Sequence, residues 1–183
     1  TLARLILGLL VHSQKKIKII GDKSLSKRDF DRVIKPLQNF GAKFYPNQKK
    51  KLPLSIIGPK ITKPTNYIEN KGSAQCKSSV MLAALNTQGT TSIKAKKSRN
   101  HTELLFQYLK VPIKIKKAKK FDYIKIKGGK KIQAFDYKIP ADISSSAFFI
   151  VLTVLSNNSK LLIKNVNINP SRTGVIKILK KMG

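Results

Sequence analysis

This 183-residue sequence is poor in acid: 8 aspartates and glutamates stand against 38 lysines and arginines, for a formal charge of +30. It has no tryptophan, two histidines and a single cysteine, Cys76. One cysteine excludes an internal disulfide and suits a reducing compartment. Two histidines and one cysteine without ligand spacing give no support to a zinc or iron site. Long apolar runs are missing as well. Leu2 to Val11 contains Arg4, is too short to span a bilayer, and lacks the charged leader and cleavage site of a signal peptide. No membrane partner is expected. The first residue is Thr1 rather than Met, so the true start is expected upstream.

Arginine is scarce too. The five are Arg4, Arg28, Arg32, Arg99 and Arg172, and the rest of the positive charge is lysine. A basic chain invites a nucleic-acid reading. Bidentate base reading favours arginine, however, and single-strand binding wants aromatic platforms in a basic groove. The lysines are spread along the chain rather than gathered in one stripe. Phe121 to Lys127 alternates like a half-buried strand and lacks the RNP pattern. The lysine excess reads as drift in a lysine-rich coding background, and a nucleic-acid partner is not expected. In that setting the retained arginines stand out, because an ammonium cannot replace a planar fork at a bidentate anion site.

What is present centres on Asn70 to Val80. A strand-like run, Ile61 to Ile68, leads through Gly72-Ser73 into the apolar helix Val80 to Leu85. Ser73 suits an N-cap. First-turn N–H groups without partners, together with the helix dipole, make such a start welcome to an anion. Gln75 adds an amide and Lys77 a mobile cation. An ordinary capped helix is the competing reading, since serine caps are common.

Elsewhere, Thr1 to Leu10 reads as the later part of a helix, apolar nearly all round and therefore buried. Lys16 to Ile20, Ala42 to Tyr45, Leu52 to Ile57 and Thr90 to Lys94 read as strands. Helices are expected across Phe30 to Leu37, ended by Gly41, and from Asn100 to Leu109. Pro36 inside the first of these costs about 3 kcal/mol or kinks it. Asn47 to Lys51 reads as an exposed loop.

This pattern recurs about 71 residues on. Leu52 to Gly58 is echoed by Asp122 to Gly128, and Ile61 to Glu69 by Ile132 to Pro140. The Ser73 helix is echoed by Ser144 to Leu155, and Thr90 to Ile93 by Lys160 to Ile163. Lys27-Arg28-Asp29, Ser98-Arg99-Asn100 and Ser171-Arg172-Thr173 each precede a helix. One period back from Gln75 lies Arg4, so the two are expected to face one ligand. The units are of βαβαββ type, burying their apolar faces against one another. The chain holds about two and a half periods and is expected to be a fragment cut at both ends.

The motifs Thr1-Leu-Ala-Arg4, Gly21 to Arg28, Gly72-Ser-Ala-Gln-Cys-Lys-Ser78, Ser98-Arg-Asn-His-Thr-Glu103, Pro140-Ala-Asp-Ile-Ser-Ser145 and Asn169-Pro-Ser-Arg-Thr-Gly174 carry a resemblance. In this order and spacing the chain resembles the middle of the 5-enolpyruvylshikimate-3-phosphate synthase family, in the variety with Gly/Ala-Ser-Ala-Gln. The resemblance implies an α/β fold: repeated βαβαββ units of the enolpyruvyl-transferase inside-out α/β barrel, truncated at both ends. Residues 1–139 would be the remainder of the first domain, and 140–183 the crossover and start of the second. It implies transfer of the enolpyruvyl group of phosphoenolpyruvate to the 5-hydroxyl of shikimate 3-phosphate. The enzyme would be monomeric at full length, cytoplasmic, and without cofactor or metal.

By motif, Ser73, Ala74, Gln75 and Arg99 would bind shikimate 3-phosphate, and Arg4 and Gln75 phosphoenolpyruvate. The proton-transfer groups would lie outside this chain, which leaves the catalytic residues unassigned and predicts an inactive fragment. Arg28, Arg32 and Arg172 read as structural, His101 as capping or packing, Asp142 as an N-cap and Cys76 as packing. Asn100 stands where the family usually has Asp, and Ala141 where it has Gly. The same-fold alternative, a UDP-N-acetylglucosamine enolpyruvyl transferase, carries a reactive cysteine in a mobile loop, and no such cysteine is present. The other alternative is a basic nucleic-acid-binding module.

Overall fold

The computed structural model describes residues 1–46 and 50–183, which form two compact units, Thr1–Ile132 and Gln133–Gly183. Most of the loop expected at Asn47 to Lys51 lies outside the described residues.

The first unit opens with helix α1 (Leu2–Leu10), strand β1 (Ile17–Ile19), the short helix α2 (Lys23–Ser26) and helix α3 (Asp31–Gln38). Strands β2 (Lys43–Pro46), β3 (Leu54–Ile57) and β4 (Asn66–Glu69) follow, then helix α4 (Ala74–Leu85). Strand β5 (Thr90–Lys96), helix α5 (His101–Tyr108) and strands β6 (Ile113–Lys117) and β7 (Phe121–Lys127) complete it.

Two sheets result. One is antiparallel with order β1-β3-β2; the other has order β4-β5-β7-β6, with β4 and β5 parallel and the remaining pairs antiparallel. The orders β1-β3-β2 and β5-β7-β6 are the same arrangement, displaced by one sequence period. The segment β4-α4-β5-α5-β6-β7 is one complete βαβαββ unit. The repeat reaches into single positions. A Cβ on Gly58 would come within 2.1 Å of the Val11 carbonyl oxygen, and one on its counterpart Gly128 within 2.1 Å of the Ala84 oxygen. In both repeats a strand end passes too close to a helix C-terminus for any side chain.

The core gathers where α1 and α3 meet α4. Leu7, Phe30, Leu37, Val80, Met81 and Ile126 are all buried. Alternation explains the sheets: in β5, Thr91, Ile93 and Ala95 point inward, and in β7 Ile124 and Ile126 do. Helix α4 is buried on nearly every side from Cys76 to Ala84, which its small and apolar residues permit. Helix α3 runs through Pro36, which is itself buried.

Several expectations are corrected. Helix α1 is not buried all round: Leu7 and Gly8 are covered, while Leu2 is 76% and Leu9 40% exposed. The packed side is the one turned to α4, α3 and β3. The strand expected at Ile61 to Ile68 forms only from Asn66. Pro64 has no N–H to give a ladder, and Lys63 N–H is drawn instead to the Phe40 oxygen at 3.2 Å. The strand expected from Leu52 likewise begins at Leu54, beyond Pro53.

The second unit contains helices α6 (Ile143–Leu155) and α7 (Gly174–Met182). Asp142 caps α6, accepting from Ser144 N–H at 3.0 Å, and Arg172 donates to Asp142 at 2.8 Å. The strands expected at Ile132 to Pro140 and Lys160 to Ile163 do not form. A lone parallel bridge, Ala141 with Val166, stands nearby. A parallel pair without further strands beside it is too weak to persist. Helix α6 leaves Phe148, Phe149, Leu152 and Leu155 exposed. No helix among the described residues is long and apolar enough to cross a membrane.

Candidate anion-binding site

Strand β4 ends at Glu69, and its buried carboxylate shapes the turn that follows. It accepts from Lys71 N–H at 3.0 Å and from Ser73 N–H at 2.9 Å. Ser73 then caps α4, with Oγ accepting from Cys76 N–H at 3.3 Å and donating to Cys76 Sγ at 3.2 Å. Cys76 is buried and packs, as its surroundings in the sequence suggest. Tyr67, two residues before Glu69, has its phenol pushed above the ordinary range by burial first, then by Cys76 and Glu69.

The first turn of α4 faces the first turn of α1. Arg4 Nη1 donates to Gln75 Oε1 at 2.7 Å, and Gln75 Nε2 donates to Thr1 Oγ1 at 2.9 Å. These partners orient the Gln75 amide, with oxygen toward the cation and nitrogen toward the hydroxyl. Arg4 is held in turn by the Asp29 carbonyl at 2.8 Å and stands 5.7 Å from the Phe30 ring centre. Ser79 Oγ donates to the Arg4 carbonyl at 3.0 Å, fixing α1 to α4 one turn further on.

On the other side, the segment before α5 supplies Arg99. Thr102 Oγ1 donates to Ser78 Oγ at 2.7 Å, joining the α5 start to α4. Beneath them Lys77 pairs with Glu103 at 2.5 Å, and Lys77 Nζ also donates to the Arg99 carbonyl at 3.0 Å. Lys77 is 1% exposed. The mobile cation expected there is instead a buried strut: an unpaired ammonium inside the core would be too costly, so it is drawn to the carboxylate.

Between these walls lies a pocket of about 150 Å³ lined by Thr1, Leu5, Ala74, Gln75, Ser78, Arg99, His101 and Thr102. The structure therefore brings Ala74, Gln75 and Arg99 together, with Arg4 fastened to Gln75 just behind. Ser73 stands beside the lining, its hydroxyl engaged in the cap. Ser78 and Thr102 escaped the sequence reading. Ser78 was findable, because it lies one helical turn from Ala74 and so shares its face. The Lys77–Glu103 pair had a weaker signal: in a chain with so few acids, one inside an apolar helix asks for a partner.

Chemically the pocket offers a guanidinium, an imidazole, an oriented amide and three hydroxyls, and no carboxylate lines it. Such a lining is chemically suited to an anion. Among the described residues, no three His, Cys, Asp or Glu side chains gather in a way that could hold a metal. On β7 the rings of Phe121 and Tyr123 lie near the Lys94 ammonium, at 4.9 and 5.9 Å.

Known proteins match this chain in sequence and in fold. The family model for EPSP synthase (3-phosphoshikimate 1-carboxyvinyltransferase) matches residues 1–183. The chain is 40% identical over 186 residues to the 3-phosphoshikimate 1-carboxyvinyltransferase of Petrotoga mobilis, covering 100% of this chain and 42% of that protein. It is 38% identical over 185 residues to the Streptococcus pyogenes protein of the same name, again covering 100% of this chain and 42% of the relative. The chain thus spans 42% of the length of these curated relatives. Among solved structures, EPSP synthase from Acinetobacter baumannii superposes with a TM-score of 0.84 at 37% identity, over 99% of this chain and 40% of that one. The family model's match to all of residues 1–183, with a relative 40% identical across the whole chain, settles the kinship: the chain belongs to the EPSP synthase family.

Proposed function

We propose that this chain supplies one wall of the active site of a 3-phosphoshikimate 1-carboxyvinyltransferase. The carrying observation is the convergence of Ala74, Gln75 and Arg99 on one pocket, with Arg4 hydrogen-bonded to Gln75. Ala74, Gln75 and Arg99, with Ser73 at the helix cap, hold shikimate 3-phosphate. Arg4 and Gln75 face phosphoenolpyruvate. A dianionic phosphate ester and an enolpyruvyl phosphate both suit arginine forks beside a helix N-terminus.

In the reaction, the shikimate 5-hydroxyl oxygen bonds to C2 of phosphoenolpyruvate, C3 takes a proton, and the hydroxyl proton leaves. The tetrahedral adduct then expels inorganic phosphate and loses a C3 proton, which restores the C2–C3 double bond and leaves an enol ether. The role of this wall is to hold and orient the two substrates. The pocket lining supplies no carboxylate for the proton transfers. Residues 1–139 are the remainder of a first domain and 140–183 the crossover and start of a second; the compact units 1–132 and 133–183 support a change of body near that point. The enzyme works in the cytoplasm as a monomer without nucleic acid.

The test has two arms. Shikimate 3-phosphate should protect the chain against thermal unfolding by mass action, about 2.7 kcal/mol at a hundredfold excess over Kd, whereas UDP-N-acetylglucosamine should not. Arg99→Ala should abolish the protection. In the second arm, this chain replaces the matching segment of the Petrotoga mobilis enzyme, and turnover is measured. Protection by the nucleotide sugar alone would overturn the reading in favour of the other enolpyruvyl transferase. Tight RNA binding that survives Gln75→Ala would favour a nucleic-acid module.

A further inference from the structure

We infer that Lys77 and Glu103 form a positioning pair for Arg99, setting the width of the pocket from beneath; this rests on the pocket's being the shikimate 3-phosphate wall. Lys77 lies on the first turns of α4, one residue from the lining residue Ser78. Glu103 lies on α5, one residue from the lining residue Thr102. Both are almost wholly buried, at 1% and 3% exposure. Their ion pair at 2.5 Å crosses from one wall to the other, and the same ammonium donates to the Arg99 carbonyl at 3.0 Å. Neither group reaches the pocket itself.

The Thr102 to Ser78 hydroxyl bond at 2.7 Å also ties the two walls. That neutral bond leaves the Arg99 backbone unheld. The Lys77 ammonium holds the Arg99 carbonyl, so the direction of the Arg99 side chain is coupled to a donor that never meets substrate. The pair is also imperfect as a device for stability alone. Glu103 Oε2 is buried without a hydrogen-bond partner, as is Ser98 Oγ next to Arg99. Buried ion pairs contribute little net stability compared with apolar residues of similar volume. An arrangement that tolerates unsatisfied oxygens beside a binding residue is better explained by placement of that residue than by stability.

The double variant Lys77→Met/Glu103→Leu separates the two roles, because an apolar pair of similar volume keeps the packing and removes the hold on Arg99. The expected result is a folded chain whose unfolding midpoint stays near that of the wild type. Its Kd for shikimate 3-phosphate should rise at least tenfold, and amide exchange should speed up at Asn100 and His101. A folded double variant that binds within twofold of wild type overturns the proposal. Should the double variant not fold, the wild-type chain still decides. The Lys77 ammonium ¹⁵N signal should shift when shikimate 3-phosphate is added, and an unchanged signal under ligand that does protect the chain overturns the proposal. If shikimate 3-phosphate fails to protect even the wild type, the functional reading has failed. Amide exchange in the ligand-free double variant then judges the hold on Arg99 by itself: faster exchange at Asn100 and His101 supports it, and unchanged exchange overturns it.

Discussion

Arg4 and Gln75 stand one repeat apart in sequence and 2.7 Å apart in space, the Arg4 guanidinium donating to the Gln75 amide oxygen. Equivalent helices, α1 and α4, have brought equivalent positions face to face. The repeat thus brings two helix starts with different side chains together at the corner proposed to bind anions.

That corner predicts a pair of unequal variants. Gln75→Ala should weaken shikimate 3-phosphate binding about 10- to 100-fold, the range for charge-linked hydrogen bonds, with little change in melting temperature. Arg4→Ala should act mainly on phosphoenolpyruvate, raising its KM by a similar factor when the segment is carried in the Petrotoga mobilis enzyme. It should also lower the melting temperature more than Gln75→Ala does, because Arg4 holds the Asp29 carbonyl and packs against Phe30 as well. Near-normal affinity and rate in both variants would remove these residues from the site.

Gly8 should refuse even a methyl group. A Cβ there would lie 2.1 Å from the Ser79 carbonyl oxygen, a backbone atom of α4 that cannot turn aside. In an exposed helix, Gly→Ala stabilises by about 1 kcal/mol. Here overpacking of about 1–3 kcal/mol or more should win, so Gly8→Ala should be destabilised in a urea melt. Gly174→Ala is the control, since a Cβ at that position meets nothing within 4 Å. It should be neutral or stabilising.

Asn100 occupies the N-cap of α5 without making a side-chain cap hydrogen bond. Asn100→Asp places a negative charge at the positive end of that helix. Stability should rise by about 0.3–1 kcal/mol at low ionic strength, and the gain should shrink as salt is added. A gain that salt leaves untouched would mean that the charge is not acting through the helix dipole.

Asp31 gives the acid response a direction. Hydrogen bonds from Lys35 and then Lys50 hold its carboxyl below the ordinary carboxylate range. A depressed folded-state pKa contributes stability that is present above the unfolded value, about 3.9, and is lost as pH falls through the folded value. Asp31→Asn should therefore melt below wild type at neutral pH, by a small margin because both lysine partners are largely exposed. The difference should close once the pH falls beneath the folded value. A gap that persists there would point to packing rather than charge.

Local signals carried much of this molecule. Ser73 caps its helix, Asp142 caps α6, Cys76 packs and Arg172 anchors a loop, because each outcome depends on a few neighbouring residues. The 71-residue echo was legible for the same reason, and the matching orders of β1-β3-β2 and β5-β7-β6 are its spatial form. Strands beyond Ile132 were misread because an apolar run forms a strand only where another strand accepts its hydrogen bonds. Composition cannot report that. The exposed side of α1 was misread because an apolar helix says nothing about how many of its faces find cover.

The sequence by itself determined the repeat, the helix starts and the family, all of which rest on spacing between near neighbours or on ordered motifs. Only the tertiary structure decided that Arg4 would be bonded to Gln75 and that Lys77 would turn inward to Glu103 and the Arg99 carbonyl. The physical reason lies in what burial does to charge. A lysine on a helix reads as a solvated cation until packing removes its water. From then on its position is dictated by whichever carboxylate and carbonyl the fold has brought within reach.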